Sequence, residues 1–559
     1  MDDVTEEDIL QWQQTSVGNF IGSLKRINDN FEGGRTFDLF EMDRKHQIQS
    51  IFCERFHESS AVRQEILRFL RISARDKNNL DELLSSHLMQ KVLAADMLVK
   101  QSFQFDWEVF IQAEMCLINL LFNSNLARHE FSDISSKLLL QRISLCTNIP
   151  NIHEHSSNSH TVQDNTNPKI SECEFPFKNL NNEQVDLVTF YDLRIAFVAS
   201  AYSKQLQLQW LKNGGCEVYL RILEQSLQFP ERLQQNSKCR TFLERTNWTL
   251  KILFNIFSSS SSDIVEPNAE KCIFLCSKFV TLEKVDSSIE QSSVDIIAVM
   301  PLFIELLVPK LEHLVEDDPR MIVHNGRDMT FTCTLLQALK RRLDTENNEE
   351  IELLGTFLTV LISLCSRVQE VRRYLRLQVI PPLHATDVER RPDEGNELRN
   401  RMIRLMMSMS ITRDLAAEFI FILCKRNVNR FVKYCGFGHA AGLLVNRGIL
   451  GALNASRHLS DSESSETEDY KAVEAQINPV TGCIESTKMN PFAGMADDQK
   501  EYEVHRLMSD INELMNKGVI TPGQVDNDGH LRPVNHVLEL VKGADMKNEK
   551  SDSDNNIDI

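Results

Sequence analysis

The feature that most limits how this chain can fold is an apolar stripe at helical spacing, which returns in one segment after another. In the segment 109–121 the apolar residues recur three and four positions apart, which places them on one face of a helix. The same period returns in 248–257 and in 415–424. Each such face needs a neighbour to cover it, and stacked helical repeats supply neighbours over a long chain. The pattern predicts an all-α fold, with a repeat solenoid over residues 1–455.

The chain length and its few glycines and prolines agree with an array of helices. The chain has 559 residues, well beyond one ordinary domain, and only 20 glycines and 15 prolines interrupt it. That scarcity argues against a loop-dense all-β design. The most apolar run, 296–308, contains Pro301 and Glu305 and is too short to cross a bilayer core of about 30 Å. We therefore expect a core helix there and no membrane insertion.

Charge and cysteine usage limit the partners and the compartment. The net charge of −19 disfavours a nucleic-acid binder, because neutralising phosphates requires a basic surface. The 13 cysteines are odd in number and lie mostly in apolar helical runs, which is typical of free thiols in a reducing cytosol. Residues 1–7 lack the positive and apolar regions of a signal peptide. We expect a cytoplasmic protein that does not bind nucleic acid.

Three segments depart from the helical period. The segment 149–177 is rich in Asn, Ser, His and Pro, and is predicted to be an insertion loop. The segment 456–495 opens with an acidic run and is predicted to be an acidic linker followed by extended chain. One further amphipathic helix is predicted within 496–542. The polar segment 543–559 is predicted to be a disordered tail.

The sequence contains no recognisable catalytic or cofactor motif. The glycines of 436–442 nearly match a dinucleotide fingerprint, but the third comes one residue too late and the segment follows a helix rather than a strand. Cys272 and Cys276 share an apolar helix face without further metal ligands nearby, so we expect both in the core. The prediction is a non-catalytic binding protein without cofactor or metal.

Two small sets of polar residues are candidates for partner binding. Asn119 and Asn123 lie four positions apart on one helix face, where they could contact a partner or merely cap their helix. Arg68, Arg71 and Arg75 form a stripe that could hold a carboxylate in guanidinium forks, or could simply face solvent. On the residues alone, both interpretations stay open for each set.

A basic region precedes the acidic linker. Between residues 399 and 447, nine basic side chains stand against two acidic ones, a local surplus of +7. We predict a docking surface for an acidic partner or for the acidic linker itself, with scattered solvated side chains as the alternative. The predicted members of this basic docking surface are Arg399, Arg404, Lys425, Arg426, Arg430 and Lys433.

Several longer segments together carry a family resemblance. They include Arg-Asn-Arg-Met-Ile-Arg-Leu-Met at 399–406, Ala-Ala-Glu-Phe-Ile-Phe-Ile-Leu-Cys at 416–424 and Asn-Pro-Phe-Ala-Gly-Met at 490–495. The segments 116–123 and 250–255 also end alike in Asn, which resembles armadillo repeats. The chain resembles the synembryns over nearly its whole length. These proteins are guanine nucleotide exchange factors and folding chaperones for heterotrimeric G-protein α subunits.

The resemblance implies a fold and a mode of action. The fold would be an armadillo/HEAT-like α-solenoid superhelix that binds the C-terminal helix of the nucleotide-free α subunit and promotes GDP release. The segment after the acidic linker would contact the switch region. Arg71, Arg75 and Asn123 match positions that resemble the family's groove contacts. An armadillo-type adaptor that binds a peptide partner without exchange activity is the alternative.

The resemblance also implies regulation by casein kinase 2 in the acidic linker. Ser460 and Ser465 each have a glutamate three positions on, and Thr467 is followed directly by two acidic residues, so these three are the predicted phosphorylation sites. We expect a cytoplasmic monomer that is recruited to the cell cortex or to the inner face of the plasma membrane.

Overall fold

The structure is a computed structural model, and it divides into two compact units, Met1–Leu307 and Val308–Ile559. It describes residues 4–34, 37, 42–80, 82–99, 104–148, 180–212, 214–234, 239–258, 268–300, 303–313, 321–345, 348–449, 467–484, 494–525 and 531–534. The predicted insertion 149–177, the acidic linker around Ser460 and Ser465, and the predicted tail 543–559 lie outside the described residues.

The described part of unit 1 is built from helices. They are α1 (Glu6–Gln14), α2 (Val17–Phe31), α3 (Met42–Arg55), α4 (Ser60–Ser73), α5 (Lys77–Leu80), α6 (Ser86–Ala95), α7 (Trp107–Asn123), α8 (Asn125–Glu130), α9 (Asp133–Asn148), α10 (Asn182–Tyr202), α11 (Lys204–Lys212), α12 (Gly215–Leu227), α13 (Arg240–Ser258), α14 (Ala269–Thr281), α15 (Ser287–Val299) and α16 (Ile304–Leu307), with a 3₁₀ helix at Pro230–Leu233.

The helices of unit 1 pack in two layers. One row runs through α2, α4, α7, α10, α13 and α15, each packed against the next. The other layer includes the packed pairs α1 with α3, α3 with α6, α9 with α12, and α12 with α14. The predicted stripe of 109–121 is buried in α7, and Cys272 and Cys276 are fully buried in α14, as expected for core thiols.

A cluster of buried charges joins four helices of unit 1. Arg142 on α9 contacts Asp96 at the end of α6, Glu114 on α7 and Asp192 on α10, and all four side chains are fully buried. Arg142 Nε donates to both carboxylate oxygens of Asp192, at 2.9 and 3.0 Å, and Nη2 donates to Glu114 at 2.6 Å. One guanidinium cannot balance three buried carboxylates, so burial favours the protonated form of these carboxyls.

Burial favours protonation of the Glu114 and Asp96 carboxyls. Burial raises the pKa of Glu114 well above its usual value, and the charges of Asp96 and Asp192 raise it further, although Arg142 opposes them. Burial raises the pKa of Asp96 to about 7, although the charge of Arg142 opposes the shift. The carboxyls of Asp96 and Glu114 can share a proton in a hydrogen bond, which raises the pKa of Glu114 and lowers that of Asp96.

Unit 2 contains helices and short antiparallel hairpins. The helices are α17 (Thr330–Asp344), α18 (Asn348–Arg367), α19 (Gln369–Val379), α20 (Leu398–Met406), α21 (Arg413–Leu423), α22 (Val428–Cys435), α23 (Phe437–Asn446), α24 (Glu468–Val473) and α25 (Asp497–Asn516), with 3₁₀ helices at Leu311–His313, Ala385–Val388 and Glu474–Gln476. The hairpins pair β1 (Val323–His324) with β2 (Arg327–Asp328), β3 (Ile477–Asn478) with β4 (Cys483–Ile484), and β5 (Gly523–Val525) with β6 (Leu531–Pro533).

The core of unit 2 is centred on α21, whose apolar stripe was predicted at 415–424. This helix packs against α18, α19, α20, α22 and α23. The all-α prediction is confirmed over the described part of the chain, where the strands are only two or three residues long. The armadillo/HEAT-like superhelix stays a prediction. None of the described helices is long and apolar enough to span a membrane.

Candidate partner-binding site

The arginines of α4 face the C-terminal end of α2. Arg68 pairs with Asp29 at 2.7 Å and with one carboxylate oxygen of Glu32 at 2.8 Å. Arg71 pairs with the other oxygen of Glu32. Arg75 donates to the backbone carbonyls of Phe31 at 2.7 Å and Glu32 at 3.1 Å. The last carbonyls of a helix have no intrahelical donor, so Arg75 caps α2.

These contacts change the interpretation of the arginine stripe. The side chains of Arg68 and Arg71 are only 17% and 11% exposed, so the stripe does not simply face solvent. The forks do hold a carboxylate, as the spacing suggested, but it is the chain's own Glu32. Both residues connect α2 to α4, and both are half-buried rather than part of the core. Their contact with a partner stays a prediction.

Asn119 and Asn123 extend the same set of contacts from α7. The amide nitrogen of Asn119 donates to the carbonyl of Arg71 at 3.1 Å, and that of Asn123 donates to the carbonyl of Ala74 at 2.7 Å. Both amide groups thus reach the end of the preceding helix in the row rather than capping their own. Among the described residues, neither carboxamide oxygen accepts a hydrogen bond. Each oxygen is available to an N–H group of a bound peptide.

Hydrogen bonds from an asparagine amide to a neighbouring helix recur along the row of helices. Asn28 on α2 donates to the carbonyl of Glu65 on α4 at 3.0 Å. Asn255 on α13 donates to the carbonyl of Phe197 on α10 at 3.3 Å and to Ser200 Oγ at 3.0 Å. The similar endings of the segments 116–123 and 250–255 therefore reflect a shared structural role. An asparagine links each of these helices to a neighbour in the row.

Aromatic and cationic side chains lie along α7, α8, α10 and α13, and sequence analysis missed them. Tyr202 is half exposed, with the Arg128 guanidinium 4.2 Å from its ring centroid and the Phe122 ring at 6.1 Å. Lys251 lies 4.8 Å from the ring centroid of Trp248. The spacing of three positions between Trp248 and Lys251 was the signal that could have found this pair.

The predicted basic docking surface in unit 2 needs one correction. Arg399 is only 8% exposed and donates to the carbonyl of Asp387 at 3.2 Å, so it cannot belong to an accessible surface. Burial lowers the pKa of Arg399, although the charge of Asp387 opposes the shift. Arg404 is exposed but donates to the carbonyls of Asp393 and Gly395 at 2.7 and 2.8 Å. Spacing along the chain could not reveal either contact.

Other basic residues of this region are paired internally. Arg401 pairs with Asp344, Arg447 pairs with Glu418, and Arg413 lies 3.3 Å from Asp414. Glu418 and Asp414 are already counted in the surplus of +7, so of these pairs only the one with Asp344 reduces it further. The remaining predicted members lie at the turn between α21 and α22 and on α22: Lys425, Arg426, Arg430 and Lys433.

The segment after the acidic linker packs against other elements of unit 2. Tyr470 is 4% exposed, and Lys433 Nζ lies 4.0 Å from its ring centroid. Thr467 caps α24 by accepting from the amide of Tyr470 at 3.4 Å, and its hydroxyl donates to the carbonyl of Leu383. Asp469 accepts from the amide of Ala385 at 3.1 Å; this bond and others lower the pKa of Asp469 to about 2. Of the predicted phosphorylation sites, only Thr467 lies in the described part, with its hydroxyl already bonded.

The glycine-containing segment that nearly matched a dinucleotide fingerprint binds the β3–β4 hairpin. The amides of Phe437 and Gly438, in the first turn of α23, donate to the carbonyls of Pro479 and Val480 at 2.9 Å each. These amides are among those that a helix leaves without internal acceptors. The chain's own hairpin thus occupies them.

Helix α25 presents an amphipathic face to solvent. Tyr502 and Leu507 are 66% and 59% exposed, and no described residue of this helix is buried. The predicted helix within 496–542 is confirmed, and its apolar face has no cover in the described part of the chain.

Known proteins agree with the resemblance drawn from the sequence. The model of the family described as guanine nucleotide exchange factor synembryn matches residues 66–530. The protein named Chaperone ric-8 from Caenorhabditis elegans is 32% identical over 91% of this chain and 92% of its own length. Chaperone Ric-8A from Danio rerio is 29% identical over 92% of both chains. Chaperone Ric-8 from Drosophila melanogaster is 42% identical over 38% of each. The chain belongs to the synembryn family of guanine nucleotide exchange factors.

Proposed function

We propose that this chain is an exchange factor and folding chaperone for heterotrimeric G-protein α subunits, and that it acts without covalent catalysis. An exchange factor needs only to bind the nucleotide-free state more tightly than the nucleotide-bound state. Release of GDP then follows from that preference, and GTP rebinding ejects the exchange factor. A surface that holds an incompletely closed α subunit also favours its folded form over the unfolded one. Family membership is what supports this proposal.

The proposed binding site for the C-terminal helix of the α subunit lies on α4 and α7. The observation that carries this assignment is the arrangement of Asn119 and Asn123 beside Arg71 and Arg75. Two carboxamide oxygens accept no hydrogen bond from the described residues, and they lie on consecutive turns that bond to the carbonyls of Arg71 and Ala74. Such a surface can accept N–H groups and hold a carboxylate of a bound helix. The exposed apolar face of α25 is the proposed contact to the switch region.

Other parts of the proposal concern regulation and location. Casein kinase 2 would modify Ser460 and Ser465, and the basic residues on and before α22, of which Arg426 is exposed, would receive the phosphates. The protein would act as a cytoplasmic monomer that is recruited to the cell cortex or to the inner face of the plasma membrane.

The test is GDP release from purified α subunits with and without the full chain. We expect faster release, and a complex with the nucleotide-free α subunit that dissociates when GTP is added. Unchanged release, together with a complex that ignores GTP, would instead support the alternative of an armadillo-type adaptor. A variant with Arg240→Glu, at an arginine side chain that is 88% exposed on α13, is a suitable charge control.

A further inference from the structure

Glu32 lies at the point where the arginines of the proposed site converge. It follows the last residue of α2, and its carboxylate bridges Arg68 and Arg71, one oxygen to each. Its backbone carbonyl accepts from Arg75 at 3.1 Å. The three arginines are thus all bonded to this one residue.

The arginine stripe carries little net charge in the free protein. Besides Glu32, Arg68 pairs with Asp29 at 2.7 Å and lies 3.7 Å from Glu65. Three guanidinium groups therefore face three carboxylates. Burial opposes the ionisation of Glu32, yet hydrogen bonds from Arg68 and Arg71 outweigh burial and lower the pKa of Glu32. Glu32 is consequently a charged competitor for any anionic group that approaches these guanidiniums.

Glu32 is more exposed than the two arginines that it bridges, although Asp29, at 52%, is more exposed still. The side chain of Glu32 is 38% exposed, whereas those of Arg68 and Arg71 are 17% and 11% exposed. Glu32 is followed by Gly33 and Gly34, and Gly34 has a φ of +93°, a conformation that glycine adopts at no steric cost. The guanidiniums are held in place while the carboxylate lies at the surface.

We propose that Glu32 is an internal substitute ligand, which occupies Arg68 and Arg71 in the free protein and is displaced by a carboxylate of the bound partner helix. This inference rests on the proposed function of the same site. Exchange of one carboxylate for another keeps the guanidiniums paired throughout, so an uncharged group cannot displace Glu32 without leaving them uncompensated. Glu32 would therefore set the selectivity of the site for a carboxylate, at a cost in affinity.

Binding of a synthetic peptide with the sequence of the C-terminal helix of an α subunit to the full chain tests the inference. The peptide is prepared as the free acid and with its carboxylates converted to amides, and Kd is measured by fluorescence anisotropy. For Glu32→Gln we expect a Kd for the acid peptide that is lower by about two- to fivefold, the range for partly exposed ion pairs. The amide peptide should gain less. Asp29→Asn is the matched control, because Asp29 pairs with Arg68 but not with Arg71, and it should change Kd less than Glu32→Gln does.

The outcomes separate the inference from the proposed function. If Arg71→Gln and Arg75→Gln bind the acid peptide like the parent, the proposed site is wrong. If they weaken binding while Glu32→Gln leaves Kd unchanged or raises it, only the role of Glu32 is wrong. Thermal unfolding of each variant is followed in parallel. If Glu32→Gln does not fold, Glu32→Asp retains the charge but is too short to bridge both arginines, and it must also bind the acid peptide more tightly than the parent.

Discussion

Gly436 and Gly482 lie backbone to backbone, so that a Cβ atom on Gly482 would stand 3.0 Å from the Cα of Gly436. A Cβ on Gly436 would in turn stand 2.9 Å from the carbonyl oxygen of Thr481. Both glycines have positive φ, +76° and +75°, where a side chain is strained. The contact joins the N-terminus of α23 to the β3–β4 hairpin, so the segment after the acidic linker is held by backbone as well as by side chains.

Alanine at either glycine is expected to loosen this hairpin. Gly436→Ala combines an unfavourable φ with a backbone clash and should lower the free energy of unfolding of unit 2 by about 1–3 kcal/mol. Limited proteolysis should then cut within 467–484 faster than in the parent. Gly442→Ala is the matched control: no atom lies within 4 Å of its Cβ position, and the helical glycine should be neutral to replace or slightly stabilising. Equal proteolysis of both variants would contradict the role of the contact.

Tyr470 should anchor α24 chiefly through its ring. Tyr470→Ala removes a buried aromatic side chain and its contact with Lys433, and should cost about 3 kcal/mol of unfolding free energy in unit 2. Tyr470→Phe keeps the ring and the cation–π contact, so it should cost much less. Chemical denaturation monitored by circular dichroism measures both variants. Equal losses would mean that the hydroxyl, rather than the ring, holds the segment.

Charge reversal of Arg71 and Arg75 should affect both binding and folding. The double variant with Glu at both positions places new carboxylates against Glu32 and removes the cap of α2, so we expect a lower unfolding temperature as well as weaker partner binding. Differential scanning calorimetry and α-subunit binding measure the two effects. Asn123→Ala should weaken binding with a smaller stability loss of about 1 kcal/mol, because it removes one hydrogen bond between neutral groups. Unchanged unfolding in the double variant would show that these contacts contribute little to stability.

The buried charges around Arg142 predict a definite pH dependence. Because the folded state raises the pKa values of Asp96, Glu114 and Asp192, it binds more protons than the unfolded chain above about pH 4. Their contribution to stability is therefore complete at low pH and declines as pH rises through the folded pKa of Asp96, about 7. Urea denaturation between pH 5.5 and pH 8.5 should record that decline.

Two variants separate the roles within this cluster. Glu114→Gln supplies a neutral hydrogen-bonding group permanently, so the decline of stability with pH should be smaller than in the parent. Arg142→Met leaves buried carboxylates without their cation and should cost about 3–5 kcal/mol. Parallel pH profiles for Glu114→Gln and the parent would exclude the shared proton.

Periodicity predicted the helices but not their neighbours. The stripe of 109–121 identified the buried face of α7, because spacing of three and four positions is a local property of one helix. Periodicity cannot predict contacts between positions that are distant in the sequence. Arg71 meets a carboxylate 39 positions away in Glu32, and Arg142 meets one 50 positions away in Asp192. Sequence analysis could therefore place Arg71 on a helix face, but could not say that the carboxylate in its fork is internal.

The same limit explains the basic docking surface. A count of charges treats Arg399 and Arg426 alike, yet the first is buried against Asp387 and the second is exposed at a turn. Arg401 pairs with Asp344 on α17, and Arg447 pairs with Glu418 on α21. Both partners are distant in the sequence, so the charge count could not reveal the pairs. Which cations remain for a partner is a property of packing, and packing follows from the whole fold.

Phosphorylation of the acidic linker should act through the basic residues at the turn before α22 and on α22, which are Arg426, Arg430 and Lys433. Each phosphate on Ser460 or Ser465 would add about −1.5 to −2 charges. Tyr470, four positions after the linker segment 450–466, contacts Lys433, so the tether should hold the phosphates near these basic residues at high effective concentration. We expect casein kinase 2 treatment to raise both the unfolding temperature and the rate of GDP release, with a gain that shrinks as salt shortens the Debye length below about 8 Å.

The variants that test this prediction act on opposite partners of the same contact. Ser460→Ala with Ser465→Ala should abolish the gain by removing the phosphates, and Arg426→Glu with Arg430→Glu should abolish it by removing the cations. Arg413→Glu is the matched control, since Arg413 lies at the opposite end of α21 from the turn that carries Arg426. Thr467→Ala should instead lower stability with or without the kinase, because its hydroxyl already caps α24 and bonds to Leu383. Equal activity of phosphorylated and unphosphorylated protein at low salt would contradict the docking of the phosphates. The acidic run would then be a solvated linker.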